Sequence, residues 1–258
     1  MTPRGRNQEI SRKVSAGRLP LGRLPMILMY HGVADFTEDP HRLCVTPGRF
    51  AGQMATLQRL GLRGVSVGTL LDAMRRGRRR GLVGITFDDG YLSVLEVAVP
   101  ELRRRGFTAS VFIISDRLGG TNEWDEGPAW PLLSGHQVTE LAAAGMEIGS
   151  HGATHTRLAG LPARQLEAEI SGSKARLGEL VGAPLRGFAY PYGSMDTAAR
   201  QAVSDAGYDY ACAVRTRAAD LGLTALPRIY VGQDDGVARL TAKRYLYRGY
   251  LAMKGDQP

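Results

Sequence analysis

Ile85-Thr86-Phe87-Asp88-Asp89-Gly90-Tyr91 is the stretch from which the rest of the chain can be read. Val83 and Ile85 alternate into it as the end of a buried strand. The strand then delivers two adjacent carboxylates directly before a glycine. Side by side they repel each other and lose hydration, which a fold gains little from unless a cation or a proton transfer uses them. About sixty residues later comes Ser150-His151-Gly152-Ala153-Thr154-His155, with two imidazoles four positions apart. One Asp with two His makes a facial metal set with open positions for water. The second Asp remains free to move protons, so the pattern points to a metal-dependent hydrolase. Alone, Asp-Asp-Gly reads equally well as a strand-to-helix turn with an Asp N-cap, and His-x3-His alone is a weak signal. Their joint appearance in a chain of only five histidines is what carries the reading.

The chain has 258 residues, 43% hydrophobic and 22% charged, enough to bury a core without disulfide staples. Its formal charge is +8 and its pI about 9.8. The excess is Arg-rich and falls partly in the first 24 residues and in Arg75-Arg76-Gly77-Arg78-Arg79-Arg80, where cations suit a helix C-terminus. No aromatic-and-basic recognition module accompanies it, so nucleic acid is not an expected partner. Cys44 and Cys212 make no disulfide framework and lack CxxC partners, and are expected as free thiols. No run reaches the roughly eighteen apolar residues of a membrane span, and no cleavage pattern follows the basic N-terminus. The expected location is the cytoplasm, or the cell exterior if a leader has been removed.

Residues 1–23 are poor in apolar side chains and are expected as a flexible basic arm. Residues 24–258 read as one domain, with no internal repeat or linker. Met26–Tyr30 is a strand buried on both faces, ending on His31. Thr46 as N-cap and Pro47 at the first helical position open a helix that Gly61 closes. Tyr91–Arg105 is helical, with Pro100 able to kink it. Strands over Leu82–Phe87, Phe107–Ile114, Met146–Gly149, Phe188–Tyr192, Tyr210–Val214 and Leu226–Val231 alternate with helices. Ser115–Gly135 is a long loop, and Val237–Met253 a last basic helix. This is an α/β chain whose parallel sheet, with helices outside, closes or nearly closes into a barrel. His31, Asp88, Asp89, His151 and Tyr192 all fall at C-terminal strand ends, where barrel active sites assemble.

Thr86-Phe87-Asp88-Asp89-Gly90 with Ser150–His155 resembles the first two motifs of the polysaccharide deacetylase (NodB-type carbohydrate esterase) family. Phe188-Ala189-Tyr190-Pro191-Tyr192-Gly193 resembles its third, and the similarity runs over about residues 25–232. The resemblance implies a distorted (β/α) barrel. It implies a divalent metal on Asp89, His151 and His155, zinc first, with cobalt or nickel also fitting. It implies Asp88 as catalytic base and the backbone N–H of Tyr192 as an oxyanion donor. Two departures stand out. The family pattern ends with a histidine acting as general acid, but none follows His155. His31, in Met29-Tyr30-His31-Gly32-Val33, resembles the early histidine of a permuted branch that includes poly-N-acetylglucosamine deacetylases, while His41 and His136 read as loop residues. Ala189 stands where the family carries an Arg that orients the base. Arg228, in Leu226-Pro227-Arg228-Ile229, could replace it, or could be a rim Arg paired with any acid.

Tyr30, Trp124 and Pro191 are the candidate sugar contacts. Barrel aromatics are usually core, so Trp124, in the polar run Asn122-Glu123-Trp124-Asp125, leads them. Lys243, Arg244 and Arg248 among Tyr245, Leu246, Tyr247 and Tyr250 suit peripheral contact with an anionic membrane or another subunit, or packing on the barrel. The expected activity is removal of N-acetyl groups from amino sugars in a glycan or glycoconjugate, releasing acetate. The alternatives are hydrolysis of another non-peptide C–N bond, as in cyclic amides or ureides, and a glycan-binding pseudoenzyme.

Overall fold

The computed structural model describes residues 24–214, 216 and 220–254. The arm expected over residues 1–23 lies outside them. The strands are β1 (Ile27–Tyr30), β2 (Gly32–Val33), β3 (Cys44–Val45), β4 (Arg63–Val65), β5 (Leu82–Phe87), β6 (Ser110–Ile113), β7 (Glu147–Ser150), β8 (Gly187–Ala189), β9 (Tyr210–Ala213), β10 (Leu226–Pro227) and β11 (Ile229–Tyr230). The helices are α1 (Pro47–Arg59), α2 (Val67–Arg75), α3 (Val99–Arg104), α4 (Gly135–Ala143), α5 (Ala163–Glu167), α6 (Ser173–Val181), α7 (Thr197–Asp205) and α8 (Val237–Lys254).

The strands pair in parallel in the order β10-β9-β8-β7-β6-β5-β1-β11, with β4 beside the first half of β5. Parallel strands with intervening helices need both faces covered. Accordingly β1, β6 and β9 are buried along their whole length. The two ends of the strand order are consecutive in the chain. Leu226 and Pro227 pair with Cys212 and Ala213 of β9, and Ile229 and Tyr230 pair with Leu28 and Met29 of β1. The single strand expected over Leu226–Val231 is therefore two, which change partner across Arg228 and bring the sheet round into a nearly closed barrel.

Other differences from the expected elements have local causes. Thr46 opens α1 but does not cap it, because its hydroxyl donates to Gln233 Oε1 at 3.3 Å instead. The helix expected from Tyr91 contains a wide π-type turn, Val94–Ala98, directly before Pro100, whose missing N–H cannot serve an α-helical ladder. The third-motif strand stops at Ala189, and Pro191–Gly193 is a 3₁₀ turn with Tyr192 at φ +57°. Leu240 of α8 is fully buried and the helix packs on α1, while Tyr245 and Leu246 are exposed. Among the described residues no helix is long and apolar enough to cross a membrane.

Close approach inside the barrel sets strict size limits. A Cβ on Gly187 of β8 would lie 2.3 Å from the ring of Tyr210, which is itself fully buried. Gly187→Ala is therefore expected to cost about 1–3 kcal/mol through overpacking, measured as a lowered urea midpoint with unchanged slope.

Candidate active site

Because the strands run in parallel, the residues that follow them gather on one rim. His31 follows β1, Asp88 and Asp89 follow β5, His151 follows β7, and Arg228 sits at the closure. Backbone pairing continues past the strands and fixes their heights. Asp88 N donates to Tyr30 O at 3.1 Å, and His151 N to Ile113 O at 2.8 Å.

Asp89, His151 and His155 are nearly fully buried, and one ligand atom from each lies within 4.8 Å of the others. Asp89 Oδ1 is 3.3 Å from His151 Nε2 and 3.4 Å from His155 Nε2. These are not aligned hydrogen bonds, and the buried Oδ1 has no hydrogen-bond partner among the described residues. His151 Nδ1 lies 2.8 Å from Ala189 O, so as the N–H donor it leaves a lone pair on Nε2 facing Asp89. Burial pushes the His155 imidazolium down to about 3, which leaves its ring neutral. A carboxylate oxygen and two imidazole nitrogens thus converge as a ligand set of the kind that holds a divalent cation. His151 differs from His155: burial works against its protonated form, but Asp88 and Asp89 outweigh it and raise its pKa.

Asp88, next in sequence, has a different partner. Arg228 donates from Nη1 to Oδ1 at 2.6 Å and from Nη2 to Oδ2 at 2.7 Å, a bidentate pair with both groups buried. Nη1 also reaches Thr86 Oγ1 at 3.2 Å, and Thr86 donates onward to Leu28 O at 3.0 Å. Burial alone would raise the Asp88 carboxyl, but Arg228 and His151 pull it below the ordinary carboxylate range. Half-buried His31 is near enough for its charge to act on Asp88, Asp89 and His155, and its Nδ1 is buried without a partner among the described residues. Exposed His41 instead meets Glu126 O, and exposed His136 lies 3.9 Å from Glu140.

Two of the sugar-contact expectations are corrected. Tyr30 is fully buried between Phe50 and Phe87, ring centroids 5.4 and 5.6 Å away, because its strand is covered on both faces. Pro191 is buried under the Gly152 turn and offers a sugar little surface. Trp124 is half-buried with its ring 4.6 Å from that of His155. The ring of Tyr192 also packs on His155, at 4.5 Å.

The site also depends on backbone strain and on Glu169, neither of which the motifs revealed. Asp89 (φ +69°), His155 (φ +70°) and Tyr192 (φ +57°) all occupy the left-handed region, at a cost of order 1–3 kcal/mol each. Glu169, buried between α5 and α6, holds the histidine turn in place. It accepts from Ala153 N (2.8 Å), Thr154 N (3.1 Å) and Thr154 Oγ1 (2.6 Å). Its signal was an acid three residues after Leu166 and next to Ile170, on the apolar stripe of its helix.

Residues 75–211, more than half the chain, match the family model for polysaccharide deacetylase. YxkH of Bacillus subtilis (strain 168), a candidate polysaccharide deacetylase by its name, is 28% identical over 213 residues, 81% of this chain and 71% of that protein. The solved structure of IcaB from Ammonifex degensii superposes with a TM-score of 0.72 at 27% identity, covering 85% of this chain and 96% of that one. The Streptococcus pyogenes deacetylase PplD, solved with acetate, has the same fold, with a TM-score of 0.72 at 23% identity over 84% of this chain and 96% of its own.

Removing one partner of the buried pair is expected to cost more than removing both. Arg228→Met leaves Asp88 uncompensated, a loss of about 3–5 kcal/mol in chemical unfolding, and adding Asp88→Asn recovers most of it. Glu169→Ala, which leaves the N–H groups of Ala153 and Thr154 without their acceptor, is expected to cost about 1–3 kcal/mol by the same measurement.

Proposed function

The chain belongs to the polysaccharide deacetylase family, and on that premise we propose that it removes N-acetyl groups from amino sugars of a glycan or glycoconjugate, releasing acetate. The observation that carries this reading is a buried carboxylate, Asp88, clamped by Arg228 beside the converging ligand atoms of Asp89, His151 and His155.

Those three residues would hold a divalent cation, zinc by the absence of sulfur and the mix of imidazole and carboxylate, with cobalt or nickel compatible. Such an ion, when bound, polarises an amide carbonyl and acidifies a water. Asp88 takes the proton of the attacking water. Arg228 keeps Asp88 ionised at neutral pH and aims both of its oxygens, which restricts the rotamer from which it works. The backbone N–H of Tyr192 supports the negative oxygen of the tetrahedral carbon. His31, beside Asp88 and Asp89, protonates the leaving amine as the C–N bond breaks. Trp124 walls the mouth where a sugar ring would enter.

The test is acetate release from N-acetylglucosamine oligomers, with and without chelator. Asp88→Asn is expected to lower release by about 10²–10⁴-fold with metal content unchanged, whereas His151→Ala is expected to lose the metal. Near-normal turnover by Asp88→Asn would refute its role as base. Metal binding without acetate release from any oligomer would favour a ring-opening amidohydrolase or a binding protein.

A further inference from the structure

The two histidines of the candidate metal set are held in different ways. His151 has the usual outer support, its far nitrogen 2.8 Å from the carbonyl of Ala189. His155 does not: its Nδ1 is buried and has no hydrogen-bond partner among the described residues. Its backbone is also in the left-handed region, and no hydrogen bond to Nδ1 fixes the ring. What surrounds it is aromatic. Trp124 lies 4.6 Å away at an interplanar angle of 43°, and Tyr192 4.5 Å away at 52°.

This packing is itself braced. The Tyr192 hydroxyl lies 3.1 Å from Asp125 Oδ1, and Asp125 is the residue after Trp124. The Arg157 guanidinium lies 4.1 Å over the Tyr192 ring. The loop that carries Trp124 is thus tied to the turn that carries Tyr192, and His155 packs against a ring from each. We propose that Trp124 is a positioning residue: with Tyr192, it orients His155 by ring packing in place of the missing hydrogen bond. The loop between β6 and α4 thereby sets how well the third ligand presents Nε2. This rests on the reading that Asp89, His151 and His155 hold a divalent cation.

The test is zinc affinity, by competition with a chromophoric chelator, for the full chain and three variants. Trp124→Leu keeps apolar bulk but removes the ring, and is expected to weaken zinc roughly 10–100-fold, as loss of outer support does at other metal sites. Trp124→Phe restores a flat ring and is expected to stay within about threefold of the parent, well inside that range. Asp125→Ala leaves both rings but releases Tyr192, and is expected to fall between them. Cobalt substituted for zinc gives a second readout, since its visible spectrum reports ligand geometry independently of turnover. Wild-type affinity and an unchanged cobalt spectrum in Trp124→Leu would overturn the positioning role. Equal losses in Trp124→Leu and Trp124→Phe would overturn it as well. Failure of the unaltered protein to bind zinc or cobalt at all would instead sink the metal reading beneath it.

Discussion

The structure turns on one buried ion pair, Asp88 with Arg228, placed where the barrel closes. Arg228 interrupts a strand that pairs with β9 before it and with β1 after it. Its guanidinium crosses the interior to a carboxylate at the end of β5 and also touches Thr86, whose hydroxyl reaches the backbone of β1. Taking two charges out of water is expensive, and only two short parallel hydrogen bonds with further polar contacts offset it. Closure of the sheet and pairing of Asp88 are therefore one arrangement: the strands that close the barrel are those that carry Arg228 to Asp88.

Two adjacent carboxylates in so small a volume would repel each other if they shared an environment. The turn separates them. Asp88 still follows the strand and meets Arg228, whereas Asp89, with φ at +69°, turns to the two imidazoles. Burial alone would raise both pKa values, yet both are lowered, Asp88 chiefly by Arg228 and Asp89 by the histidines. One backbone conformation thus gives consecutive residues of the same type two chemical characters.

Apart from exposed Arg42, the left-handed non-glycine residues among those described lie in the site. These are Asp89, His155 and Tyr192, and two of the three turns are braced from elsewhere in the chain. Glu169 braces the histidine turn with three hydrogen bonds, and Asp125 with Arg157 braces Tyr192. Strain of this kind persists only where the surroundings over-determine it.

Some of this was legible without coordinates. Strand–helix alternation, the Asp pair after a buried strand and the His-x3-His turn are local patterns, since periodicity and turn chemistry act over a few residues. They determined the parallel barrel and the rim on which Asp88, Asp89, His151 and His155 meet. The motif resemblance suggested Arg228, but left open whether it met Asp88 or another acid. Only the tertiary structure decided that Arg228 reaches Asp88 across 140 positions. It also decided that Tyr30 is core, that Glu169 braces the histidine turn and that His155 packs between two rings. Those are contacts between distant segments, and a chain records them only as single residues, whose meaning depends on which neighbours packing brings to them.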